Sequence, residues 1–96
     1  MREESLEVYS ADGNYAVVRP PGRKFPGSVI QGDSLSILLS LSNRVRERAR
    51  RHADDDLNEL TGELVESLAD RLRPYERVLR EHHIELPYSP KIWEGV

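Results

Sequence analysis

The chain has 96 residues, no cysteine and a formal net charge of −3. A single domain of this size builds a modest core without staples, and the lack of thiols excludes a disulfide framework and a thiolate zinc site, which suits a reducing cytoplasm. An acidic balance argues against generic nucleic-acid binding, because phosphate neutralisation supplies most non-specific affinity. The charge is uneven: residues 1–53 carry nine Lys/Arg and six Asp/Glu, a balance of +3, and residues 54–96 carry five and eleven, a balance of −6. The charged start Met1-Arg2-Glu3-Glu4-Ser5 precedes no apolar run, so no cleaved secretion signal is expected. The longest apolar stretch, around Ile37-Leu38-Leu39, is far too short to span a bilayer.

Leu6-Glu7-Val8-Tyr9 alternates apolar and polar residues, as a half-buried strand does. Asp12-Gly13-Asn14 is a hairpin signal, and Tyr15-Ala16-Val17-Val18 reads as the returning strand. Residues 19–27 hold Pro20, Pro21 and Pro26, which cannot belong to a central strand. They predict a stiff basic connector carrying Arg23, Lys24 and the aromatic Phe25. Ser28-Val29-Ile30-Gln31 reads as a third strand and Gly32 as a turn. Asp33-Ser34 then opens a helix to about His52, each side chain being able to accept a bond from a free first-turn amide. Leu35, Leu38, Leu41, Val45 and Ala49 give that helix an apolar face, with Ser36, Ser40, Asn43, Arg46 and Arg50 on the polar side. Asp54-Asp55-Asp56 marks a second start, where carboxylates complement the helix dipole. The stripe Leu57, Leu60, Leu64, Leu68, Leu72, Tyr75, Leu79 keeps phase through Pro74. It predicts one helix over residues 54–85, kinked near Pro74 by a lost backbone bond, with a break and a new helix starting at Pro74 as the alternative. Residues 86–96 read as an extended tail with the only tryptophan, Trp93. The expectation is one domain of α+β class: a small three-stranded antiparallel sheet packed on two long helices, with an extended C-terminal tail.

Gly32-Asp33-Ser34-Leu35 has the form of a serine-esterase motif. A nucleophilic serine needs a histidine oriented by a carboxylate, and no Asp-x-x-His occurs. A turn and helix cap explain the four residues, and no catalytic residue is assigned. His82-His83 are adjacent, whereas a helical zinc pair is spaced i, i+4. Asp54, Asp55 and Asp56 lack the alternate-ligand spacing of a calcium loop. No metal or other cofactor is expected. Arg44 to Arg51 is locally basic but has no interleaved aromatic, which a stacking platform for bases would want. A Glu47–Arg51 pair at i, i+4 on an exposed face is the simpler reading. The connector is the better candidate for binding, because a stiff loop exposing an aromatic among basic side chains loses little entropy on association.

The run Phe25-Pro26-Gly27-Ser28-Val29-Ile30-Gln31-Gly32-Asp33-Ser34-Leu35 resembles the Leu-Pro-Gly-Cys-x-(Thr/Ser)-x-Gly-(Asp/Glu)-(Thr/Ser) pattern of HicB-like antitoxins. The resemblance covers residues 6 to about 45, where a hairpin likewise precedes the run. Ser36-Ile37-Leu38 departs from the Glu-Glu-Ala that follows in that family. The fourth strand and the C-terminal DNA-binding module are missing. The chain is also similar to small bacterial proteins of like size. The resemblance implies a toxin-neutralising module without operator binding: a non-enzymatic protein that occludes a protein partner, such as a basic toxin. Arg23, Lys24, Phe25 and Trp93 are the expected contact residues, and helix 2 is a candidate homodimer surface. Two alternatives stand beside it: a nucleic-acid-associated regulator using the Arg44–Arg51 face, and a serine hydrolase centred on Ser34.

Overall fold

The computed structural model describes residues 1–11 and 15–96; the expected Asp12-Gly13-Asn14 turn lies outside the described residues. The class is α+β. Three short strands form an antiparallel sheet in chain order, β1 (Glu7–Ser10), β2 (Val17–Arg19) and β3 (Gly27–Ser28), and two helices follow, α1 (Gly32–Ala49) and α2 (Asp55–Glu81). Contacts divide the chain into two compact units, Met1–Gln31 and Gly32–Val96.

In the first unit, β1 pairs with β2 through Glu7↔Arg19 and Val8↔Val18, and the register slips between Val8 and Ser10. β3 pairs with β2 through Val17↔Ser28 and Val18↔Gly27. It is two residues long rather than the four expected. Val29 N–H still donates to the Ala16 carbonyl at 2.9 Å, one further rung of the same pairing.

The second unit is an antiparallel helical hairpin with its tail folded back. Residues 50–54 link the helices. The Asp54 side chain accepts from Leu57 N–H at 3.0 Å and caps α2, as an N-terminal aspartate should. α1 ends at Ala49, not near His52, because Arg51 and His52 donate to carbonyls three residues back and tighten the chain into a turn. α2 runs through Pro74 without interruption for 27 residues. It stops at Glu81, four residues before the expected end. The bonds His83 N–H to Arg80 carbonyl and Ile84 N–H to Leu79 carbonyl close a Schellman motif. His83 supplies its left-handed residue, at φ 57°, a conformation histidine adopts more readily than most non-glycine residues.

The apolar phase of both helices differs from the expected stripe. Leu35, Leu39 and Ala49 of α1 are buried, while Leu38, Leu41 and Val45 are exposed. Ser36 and Arg46, expected on the polar side, are buried instead. In α2 the buried row is Thr61, Val65, Ala69 and Leu72, and Leu57, Leu60 and Leu64 stay exposed. The facing rows thus mix small and large side chains. Their hydroxyls cost little to bury because each bonds within its own helix: Ser36 Oγ donates to Asp33 O at 2.6 Å, Ser42 Oγ to Leu39 O at 2.9 Å and Thr61 Oγ1 to Leu57 O at 2.9 Å. Residues 90–93 of the tail form a short 3-10 turn rather than extended chain, capped by Ser89 with Pro90 at its start. Tyr88, Ile92, Trp93 and Val96 pack against the Leu35–Leu39–Val65–Ala69–Leu72 core.

Gly32 is buried at the start of α1, and the Tyr75 ring lies where a side chain on it would go. An ordinary Gly→Ala change in a helix stabilises by about 0.5–1 kcal/mol. Gly32→Ala should instead destabilise by about 1–3 kcal/mol in urea unfolding, and adding Tyr75→Leu should recover most of that loss. A more stable single variant would contradict this packing.

Candidate protein-binding surface

The connector between β2 and β3 is organised by its own sequence. Arg23 N–H donates to the Pro20 carbonyl at 3.2 Å, and Gly22 has φ +80°. Proline followed by a glycine at positive φ, closed by that bond, is a type II turn. Below it, Glu7 forms an ion pair with Arg19 across the sheet and accepts a 2.8 Å bond from Tyr9 Oη. The Arg19 guanidinium, and secondarily the Tyr9 hydroxyl, hold the Glu7 carboxyl below its ordinary range. The same hydrogen bond pushes the Tyr9 phenol up. An open groove runs along this base, lined by Leu6, Glu7, Arg19, Pro20 and Arg23 among others.

Beyond the turn, Arg23, Lys24 and Phe25 stand together and exposed. Phe25 keeps 73% of its surface open, and Lys24 Nζ lies 5.3 Å from its ring centroid. That separation is within cation–π range. Pro26 fixes the chain on the far side of the aromatic.

Trp93 belongs to the second unit and is half-buried on the helices. Its Nε1 donates to Glu76 Oε2 at 2.7 Å, and Tyr88 Oη donates to the same oxygen at 2.8 Å. The Arg73 guanidinium covers the indole at 5.6 Å. A second clasp holds the following residues: Asn43 Nδ2 donates to the Glu94 carbonyl at 3.2 Å and Arg46 to the Gly95 carbonyl at 2.6 Å. Glu76, which no sequence motif marks, and Arg46, expected on the polar side, are therefore the anchors of the tail. The phase of Arg46 was the available signal: it follows Leu39 and Ser42 at seven and four residues, on the buried row.

Other motifs resolve into local structure. Asp33 Oδ1 accepts from Ser34 N–H at 2.8 Å, a first-turn bond. His52 lies beyond the other end of α1, eighteen residues on, or about 27 Å of helical rise. His82 and His83 follow the end of α2, exposed. Glu47 pairs with Arg50 at i, i+3 and not with Arg51. With Arg46 turned inward, the basic segment is a broken patch of Arg44, Arg48 and Arg51. Among the described residues no cluster of three or more His, Asp or Glu side chains is grouped for a metal ion, and no helix is long and apolar enough to cross a membrane.

Comparison with known proteins gives one family model, described as a family of unknown function (DUF6959), over residues 1–88. No curated protein and no solved structure matches the chain.

Burial and, secondarily, the bond to Glu76 raise the Tyr88 phenol well above its ordinary value of 10.0. A raised folded value means that the contribution of Tyr88 to tail docking is complete below the ordinary phenol pKa. It is lost as pH climbs above that value toward the folded one. The emission maximum of Trp93 should thus shift red above about pH 10. Tyr88→Phe should remove that alkaline step. An identical step in both proteins would refute the clasp.

Proposed function

We propose that this chain, which belongs to the DUF6959 family, is a non-enzymatic protein-binding module that occludes a partner protein in the manner of an antitoxin or immunity protein. The observation that carries this reading is the connector loop. A type II turn and Pro26 bracket Phe25, which stands exposed beside Lys24 and Arg23. Aromatic and arginine side chains dominate interface hot spots, and a loop already held in place gives up little freedom on binding. Trp93 serves chiefly as the tail's anchor, so the reading rests on Arg23, Lys24 and Phe25.

Occlusion needs a stiff complementary surface and no reactive group. α2 carries eight acidic and four basic residues, and an acidic helix speeds encounter with a basic partner. A toxin that is basic overall, such as a nuclease, and carries an acidic patch where Arg23 and Lys24 dock is the partner class that fits.

A photo-crosslinking phenylalanine analogue at position 25, expressed in the native host, tests this. One discrete protein adduct should form there and not from the same analogue at position 85, and Arg23→Glu with Lys24→Glu should abolish it. Absence of a discrete adduct, or equal adducts at both positions, would overturn the reading. Fluorophosphonate labelling that disappears in Ser34→Ala would assign a hydrolase instead.

A further inference from the structure

The exposed leucines of the helical hairpin follow a rule. Leu38, Leu41 and Val45 immediately precede Leu39, Ser42 and Arg46, which are buried. Leu60 and Leu64 immediately precede Thr61 and Val65, which are buried too. One residue step is a rotation of about 100°, so each helix carries an apolar stripe displaced from its buried row in the same rotational sense. The two helices face each other and run antiparallel, as the contact between Gly32 and Tyr75 requires. Equal rotation then places both stripes on one side of the hairpin. The tail occupies the other side, where Asn43, Arg73 and Glu76 hold it. Within this unit the leucine side has no such cover: its members are between 37% exposed, at Leu57, and 63% exposed, at Leu60. Single exposed leucines need no explanation, but a contiguous apolar face rimmed by charge marks an interaction site.

The rim identifies the occupant. Arg44 and Arg48 stand three residues after Leu41 and Val45, and with them line a shallow groove on α1. On α2 the matching rim is acidic, with Glu63 three residues after Leu60 and Asp56 four before it. None of these four charges has an ion-pair partner among the described residues. We propose that this face binds a second copy of the chain, making a two-fold, antiparallel four-helix bundle with Leu38, Leu41, Val45, Leu57, Leu60 and Leu64 at its seam. A two-fold axis parallel to the helices sets α1 of one copy against α2 of the other. The Gly32–Tyr75 level then brings Arg44 opposite the partner's Glu63, and Arg48 opposite the acidic first turns of the partner's α2. An axis across the helices would instead face α1 with α1 and α2 with α2, juxtaposing like charges. A face about 27 Å long and about 20 Å wide covers roughly 1,000 Å² over both copies, the size a specific interface needs. The inference does not depend on the connector loop, which lies in the other unit.

Sedimentation of the full chain tests the proposal. The wild type should show a mass of about twice 11.0 kDa at high micromolar concentration. Leu60→Glu, at a site already open in one copy, should give a monomer with unchanged far-ultraviolet circular dichroism, because the substitution enters an isologous interface twice. Leu41→Glu is the second such variant. Arg44→Glu and Glu63→Arg should each weaken association at least tenfold, and the two combined should restore it. Phe25→Ala should leave the mass unchanged. A monomeric wild type, a dimer that survives both leucine variants, or charge variants whose combination fails to restore association would each overturn the proposal.

Discussion

The helical hairpin depends on the packing of α1 against α2 along rows that mix small and large side chains. Ser36, Ser42 and Ala49 are buried on one helix and Thr61 and Ala69 on the other, with Leu35, Leu39, Arg46, Val65 and Leu72 adding bulk. The hydroxyls contribute because each satisfies itself on its own helix, so their burial leaves none of the three without a partner. Two other features accompany that packing. At the start of α1, the Tyr75 ring occupies the space a side chain on residue 32 would need. Beside the seam, Leu38, Leu41, Leu60 and Leu64 stay outside the core and collect on a flank.

The element order was legible in the sequence, and so was the α+β class. The acidic helix start at Asp54-Asp55-Asp56, the proline-rich connector and the passage of α2 through Pro74 were readable because each rests on local chemistry that tertiary contacts did not override. The core phase was legible only in part: Leu35, Ala49 and Leu72 are buried as expected and Leu68 and Tyr75 pack against the core, but Leu38, Leu41, Val45, Leu57, Leu60 and Leu64 are exposed. A hydrophobicity pattern gives weight to size, so the stripe of leucines drew the eye one residue away from a row whose members include serine, threonine, alanine and an inward arginine. Back-bonded hydroxyls look polar in a sequence and behave as apolar surface in the structure. The end of α2 was missed for a related reason: the terminator is a left-handed histidine, where a glycine would have been conspicuous. Gly32 read as a turn residue because its real constraint, the ring of Tyr75, lies 43 residues away.

The candidate binding loop was more legible than the core because stiffness is written locally, in Pro20, Pro21, Gly22 and Pro26. Its exposed trio Arg23, Lys24 and Phe25 is consecutive, so no long-range packing was needed to assemble it. Trp93 differs: its surroundings come from Glu76, Arg73 and Tyr88, and a tail sequence alone cannot show that they converge. A loop presenting an aromatic among cations and an apolar helical flank rimmed by opposite charges are chemically separate surfaces.

The central claim is that the row through Leu39, Ser42 and Val65, not the row through Leu38, Leu41 and Leu64, faces the core. Ser42→Leu tests it directly, measured by urea unfolding at dilute protein concentration. A helix whose core were the leucine stripe would gain from added apolar bulk at residue 42, or be indifferent to it. The buried row instead predicts a loss of about 1–3 kcal/mol from overpacking. A Ser42→Leu protein as stable as the wild type, or more stable, would contradict the account.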